Sequence, residues 1–186
     1  MKSEPIWKPF PLNSWSENPF SLLADDWTLI TVQNARGEAN AMTASFGGFG
    51  VLFGKPVCFV FIRQSRYTYT LTEATDCLSL SFFDATYRKE LSYCGKVSGR
   101  DEEKLAACQF TLHSVPKQAP FIEQARLAVC ARQCYADFLH KEGVRDPAVL
   151  ARYYPEGDFH KMYVCEITSL WRREADEDGK NECGSF

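Results

Sequence analysis

Between Trp27 and Leu170 the chain lays down six or so apolar runs of strand length, most of them in hairpin-like order, and this order constrains the fold more than any single motif. Trp27–Gln33 is rich in β-branched and aromatic residues and reads as a strand. Asn34–Glu38 has the makeup of a hairpin turn, with Gly37 suited to positive φ, and Ala39–Phe46 is the returning strand. Val57–Arg63 is an apolar run that suits burial on both faces. Cys77–Phe83 alternates, with Leu78, Leu80 and Phe82 on one side and Cys77, Ser79, Ser81 and Phe83 on the other, which predicts a strand with one polar face. Arg126–Asp137 and Met162–Leu170 complete the set. Helical spacing interrupts the runs at Ser65–Ala74, with Ser65 as a cap, and at Asp84–Tyr93, which Gly95 is placed to end. Ser98-Gly99-Arg100-Asp101 has capping-box form and predicts a helix through about Cys108; Asp146-Pro147 starts another, which Pro155 stops. No regular βαβ alternation occurs, which argues against a doubly wound sheet. The expected class is mainly β with inserted α: an antiparallel barrel with peripheral helices.

Bulk properties narrow the function. A length of 186 residues suits one domain, and a net charge of -3 gives no basic field, so nucleic acid is not expected as a partner. The uncharged stretch Ala39–Gly54 carries Asn40, Thr43, Ser45 and four glycines. It is shorter than the ~20 apolar residues of a spanning helix, so no membrane insertion is expected. The eight cysteines include no CxxC pair, and the only histidines are His113, His140 and His160, so no metal site is expected. Thiols embedded in apolar runs, as in Cys58-Phe59-Val60-Phe61, together with an N-terminus lacking a secretory h-region, predict reduced cysteines and a cytoplasmic location. Residues 1–20, with Pro5, Pro9, Pro11 and Pro19, read as an extended arm with too little periodicity to fold by itself. Residues 172–186 form a polar tail, with three positive and five negative side chains, expected to be mobile.

Two segments carry candidate chemistry. Arg63-Gln64-Ser65-Arg66-Tyr67-Thr68 lies where a buried strand gives way to a helix. Free N–H groups at a helix start, two forked guanidinium groups and two hydroxyls together suit a phosphate dianion, and they equally suit a capped helix with solvated arginines. Asn40-Ala41-Met42-Thr43-Ala44-Ser45-Phe46-Gly47-Gly48 offers small residues that let a flat group approach the strand backbone, or simply a strand ending in a glycine bend.

In their order along the chain these two segments resemble the flavin reductase-like, FMN-binding split-barrel family, in particular its flavoredoxin-like branch. Leu80-Ser81-Phe82-Phe83, Ser92-Tyr93-Cys94-Gly95, Ser98-Gly99-Arg100-Asp101 and Gly157-Asp158-Phe159-His160, followed by Met162–Ile167, extend the resemblance over roughly residues 20 to 170. It implies an antiparallel split β-barrel at 21–171, a homodimer with FMN near the subunit interface, and NADH or NADPH as co-substrate. It also leaves room for a redox partner protein. By the resemblance, Arg63, Ser65, Arg66, Tyr67 and Thr68 hold the FMN phosphate and its approach. Met42, Thr43, Ala44 and Ser45 face the isoalloxazine, and Ser81 and Phe82 lie beside the flavin or its ribityl chain. Cys94, Gly95, Ser98 and Gly99 close the site, and Lys104 adds charge near the phosphate. His160 is the catalytic candidate, near the nicotinamide; Phe159 interrupts the family's Gly-Asp-His order there, and a histidine capping the last strand is the alternative. Cys94 suits either a redox-active thiol or a small side chain beside the cofactor. Tyr67, Phe82 and Phe46 are the aromatics with a candidate flat partner. The two activities that follow are an NAD(P)H-dependent flavin oxidoreductase and a non-enzymatic FMN electron carrier.

Overall fold

The computed structural model describes residues 6–174, so the greater part of the polar tail, 175–186, lies outside the described residues. In chain order the elements are β1 (Trp7–Phe10), α1 (Pro19–Ala24), β2 (Thr28–Gln33), β3 (Ala39–Ala44), β4 (Gly47–Leu52), β5 (Lys55–Arg63), α2 (Tyr67–Thr72) and β6 (Cys77–Phe82). There follow α3 (Arg88–Lys96), α4 (Lys104–Ala107), β7 (Leu112–His113), β8 (Phe121–Ile122), β9 (Leu127–Phe138), α5 (Pro147–Tyr153) and β10 (His160–Arg173).

One antiparallel sheet runs β3-β2-β6-β9-β10-β5-β4. Its two ends, β3 and β4, are consecutive in the chain and separated by Ser45 and Phe46 alone. A connection that short brings the two ends of the path together, so the sheet curls into a barrel. Among the described residues no ladder joins β3 to β4, so the barrel stays open along that seam. The longest strands, β9 and β10, pair with register shifts at Val164/Cys165 and Ile167/Ser169. Such irregularities add the local twist a long strand needs to bend around a barrel.

Period-2 alternation sends the strand side chains into two cores. Ile30, Val32, Met42, Leu80, Phe82, Val129 and Tyr163 fill the barrel interior. Their neighbours Leu29, Ala41, Ala128 and Cys130 point outward and pack with Leu91, Phe110, Phe121 and Ile122 beneath an outer layer. The polar face predicted for Cys77–Phe83 therefore does not meet water. Ser79 and Ser81 are fully buried, with Ser79 Oγ donating to the Pro120 carbonyl (2.6 Å) and Ser81 Oγ accepting from Ile122 N–H (3.1 Å). Their hydroxyls serve the backbone of the outer segment, which has little ladder of its own.

Three further expectations are corrected. Residues 7–10 of the supposed arm are a strand of the sheet: β1 pairs with Leu170–Arg173 of β10, so Arg172 and Arg173 belong to that strand and not to a tail. Trp7 anchors it, buried edge-on against Phe121 (4.6 Å between ring centroids) with its indole N–H on Glu123 (3.0 Å). Gly95 does not end its helix but lies within α3, where an added Cβ would stand 3.3 Å from Thr43 Cβ; the glycine lets helix and strand close up. Ser98–Asp101 is a turn, with Ser98 Oγ accepting from Arg100 N–H, and the helix that follows begins only at Lys104.

Ser81→Ala is expected to leave the buried Ile122 N–H without an acceptor and to cost about 1–3 kcal/mol, measured by urea denaturation. A loss below about 0.5 kcal/mol would mean that the outer layer does not depend on that bond.

Candidate functional site

The open seam carries a cleft of about 350 Å³ lined by Met42, Thr43, Ala44, Ser45, Phe46, Phe61, Arg63, Ser65, Arg66, Tyr153 and His160. This size is at the small end of ligand pockets. One wall is the end of β3, whose second edge is unladdered, so its backbone groups are available to a ligand. The cationic end lies where β5 passes into α2. A further wall is aromatic: Phe46 meets Tyr153 edge-on (5.6 Å) and His160 at a tilt (5.8 Å).

The cations have defined supports. Arg66, and not Ser65, is the N-cap residue of α2, and its guanidinium donates to the Gly95 carbonyl (2.6 Å). Lys104 Nζ donates to the neighbouring Cys94 carbonyl (3.1 Å), so two positive groups sit on the C-terminal carbonyls of α3, where the helix dipole favours them. Burial, together with the nearby Arg66, pushes the Lys104 amine below its ordinary value, with the Cys94 thiol pulling the other way. Arg63 reaches the opposite way, donating to the Tyr153 (2.8 Å) and Asp158 (3.0 Å) carbonyls, while Ser65 Oγ donates to the Asp158 carboxylate (2.6 Å).

His160 is 8% exposed. Burial, with Arg63 and then Arg66 adding to it against Asp158, lowers its pKa to about 4. The ring is thus neutral near pH 7, with Tyr154 Oη 2.9 Å from Nδ1. A phenol donating there leaves the ring hydrogen on Nε2.

Of the residues singled out from sequence, Met42, Thr43, Ala44, Ser45, Phe46, Arg63, Ser65, Arg66 and His160 come together in the cleft. The others do not line it. Thr68 is buried, its hydroxyl accepting from Asn40 Nδ2 (2.8 Å), and Tyr67 lies beneath Arg100, 5.4 Å from ring centroid to guanidinium carbon. Ser81 faces the outer layer and Phe82 the barrel core, so neither stands beside the cleft. Cys94 is fully buried with Sγ 3.8 Å from that of Cys108, and burial raises its pKa to about 12, which removes the thiolate a redox role needs. Gly95 acts through its carbonyl, which accepts from Arg66, and Ser98 through its hydroxyl, which accepts from Arg100 N–H. Gly99 presses on Asn40, whose Oδ1 would lie 2.3 Å from an added Cβ. Lys104, 4% exposed, sits behind the cationic end and adds potential without contact. Phe61 and Tyr153 line the cleft without having been singled out. Phe61 shares a face of β5 with Arg63, so period-2 spacing could have found it; nothing local marks Tyr153.

Among the described residues no group of three or more His, Cys, Asp or Glu is placed to hold a metal, and no helix is long and apolar enough to cross a membrane. The seven described cysteines are free thiols.

The sequence matches the model of the flavin reductase like domain over residues 20–181. No curated protein matches it. Solved structures share the fold. An FMN-binding domain of a flavin reductases-like enzyme from Shewanella baltica superposes with a TM-score of 0.64 at 15% identity, over 91% of this chain and 78% of that one. The flavoredoxin of Desulfovibrio vulgaris gives 0.62 at 18%, over 91% and 77%. An NADH:FAD oxidoreductase from Streptomyces globisporus gives 0.59 at 16%, over 80% and 77%.

The native imidazole of His160 is expected to titrate near pH 4, against 6.5 for an ordinary histidine, when its ring signals are followed by NMR. Between those values the unfolded chain takes up a proton that the native chain refuses. Stability should therefore fall as pH drops from about 6.5 toward 4, and His160 should add no pH dependence above that window. A ring titrating near 6.5 would show that the residue is solvated.

Proposed function

The chain belongs to the flavin reductase-like family, and from that premise we propose that it binds FMN in the seam cleft and works as an NAD(P)H-dependent flavin oxidoreductase. The observation that carries this reading is the cleft's composition: cations and hydroxyls at one end, an unladdered small-residue strand along one side, and an aromatic group of Phe46, Tyr153 and His160.

The donor set suits the group. Arg66, Ser65 and the first-turn N–H groups of α2 provide charged and neutral donors for a phosphate, and Arg63 stands beside them. Lys104, a buried amine with one protein acceptor and a neighbouring guanidinium, adds positive potential that a dianion would relieve. At the end of β3, those backbone N–H groups between Thr43 and Ser45 that the β2 ladder leaves free would meet negative charge on a pyrimidine edge. Phe46, Tyr153 and neutral His160 leave an apolar face with one ring donor for a second flat group. When bound, FMN supplies the redox chemistry, taking hydride at N5 from a nicotinamide and passing electrons to an acceptor. The chain's own part is to hold the phosphate, place the strand backbone against the ring and keep an uncharged imidazole in the cleft lining.

The reading includes a homodimer. Within one chain Gly95 and Ser98 do not line the cleft, so a second subunit is the source of any cover from that region. A non-enzymatic FMN carrier that exchanges electrons with a protein partner would use the same phosphate and ring contacts, and differs in having no productive nicotinamide site.

Added FMN is expected to bind, with its fluorescence changed and the two visible bands of oxidised flavin retained on the protein. Absence of binding overturns the proposal. Anaerobic titration with NADH and NADPH should then bleach the bound flavin within a turnover time; binding without bleaching by either favours the carrier. Arg66→Ala is expected to weaken FMN by roughly ten- to a hundredfold while changing riboflavin far less, measured by fluorescence titration. Equal losses for both ligands would remove the phosphate assignment.

A further inference from the structure

The segment between β9 and β10, residues 139–159, borders the cleft without a core of its own. Its helix, α5, buries no residue. Several of the contacts that hold it to the barrel come from the cleft. Arg63 donates to the carbonyls of Tyr153 and Asp158, and its guanidinium lies 3.7 Å from the Asp158 carboxylate. Ser65 Oγ donates to that carboxylate at 2.6 Å. Phe46 against Tyr153 and Tyr154 against His160 add aromatic and hydrogen-bond contacts from the aromatic wall.

Arg63 and Ser65 thus already hold an anion, and it is part of the chain. The carboxylate of Asp158 accepts from Ser65 Oγ and faces the Arg63 guanidinium without a hydrogen bond, so it stands where an oxygen of a ligand phosphate would engage the same two groups. Both members of the Arg63–Asp158 pair are about three-tenths exposed, at 28% and 31%, so the pair is weak and easily exchanged. A phosphate brings two negative charges and more acceptor oxygens than a carboxylate, so it wins the exchange at these donors. A phosphate that draws Arg63 also takes the guanidinium from the Tyr153 and Asp158 carbonyls, and a segment with so little buried surface then opens readily.

We propose that Asp158 is a specificity-determining residue: an internal anion that a phosphate-bearing flavin must displace from Arg63 and Ser65, which releases segment 139–159. A flavin without a phosphate leaves Asp158 in place and the segment closed. Asp158 thereby lowers FMN affinity while linking the arrival of the phosphate to the opening of the aromatic wall. This rests on the proposed phosphate site, and the test separates the two.

FMN and riboflavin are titrated into the wild type, Asp158→Asn and Asp158→Ala, with thermal melts to verify folding. Hydrogen exchange of 139–159 is followed with each ligand. Both variants are expected to bind FMN about three- to tenfold more tightly and riboflavin unchanged. In the wild type, FMN should speed exchange across 139–159 and riboflavin should not; in the variants, exchange should be fast before any ligand is added. FMN affinity unchanged or weakened by both substitutions, or slower exchange in 139–159 on adding FMN, overturns the competition and makes Asp158 a support for Arg63. A wild type that binds FMN no better than riboflavin overturns the phosphate site itself.

Discussion

A two-residue link, Ser45–Phe46, joins the first and last strands of the sheet path, and much of the molecule follows from it. It is too short for the sheet to lie open, yet it does not zip β3 to β4. The sheet therefore curls into a barrel with one unpaired edge. Unpaired backbone groups at a sheet edge invite another chain or a ligand. Here the edge is turned into a cleft whose other walls come from β5, the start of α2, the end of α5 and the start of β10, so the same groups become the inner lining of a binding site.

The second constraint is how tightly the outer layer is pressed onto β3. Gly95 sits against Thr43 and Gly99 against Asn40, at distances that leave little room for a side chain. Thr43 in turn donates to the Leu91 carbonyl, and Asn40 to Thr68. These contacts fix the end of α3 beside the cationic end of the cleft, and its terminal carbonyls then hold Arg66 and Lys104. Charge placement at the site is thus a consequence of packing between a helix and a strand. It places two positive groups side by side, and among the described residues no carboxylate is bonded to either.

Most strands were legible because alternation survives in the sequence; Cys77–Phe83 and Leu127–Ala131 show it residue by residue. What alternation cannot tell is whether a polar face meets water or a second layer. Ser79 and Ser81 look solvated in sequence and are buried because residues 110–125 fold over them, a contact forty residues distant. Local turn chemistry misled in a similar way. Gly95 and Ser98-Gly99 have the composition of a helix stop and a helix start, but Gly95 is packed against Thr43 and Gly99 against Asn40. The cleft was half legible: Met42–Ser45, Arg63, Ser65 and Arg66 sit in two compact segments, whereas Tyr153 arrives from α5 with no local mark. Trp7 could be placed only by its partners, Phe121 and Glu123, far along the chain.

The pairing of β1 with the end of β10 has a bearing on how the chain is made. Trp7 and its neighbours leave the ribosome long before their ladder partners, Leu170–Arg173, which are synthesised some 160 residues later. Throughout translation an apolar strand with a tryptophan waits without its edge, and the outer core that Trp7 completes stays unfinished. So long a separation between partners slows closure and leaves a window for wrong pairing. Nascent chains stalled before the last strand should therefore be the species that chaperones see, and the final β10 residues act as the latch that ends that exposure.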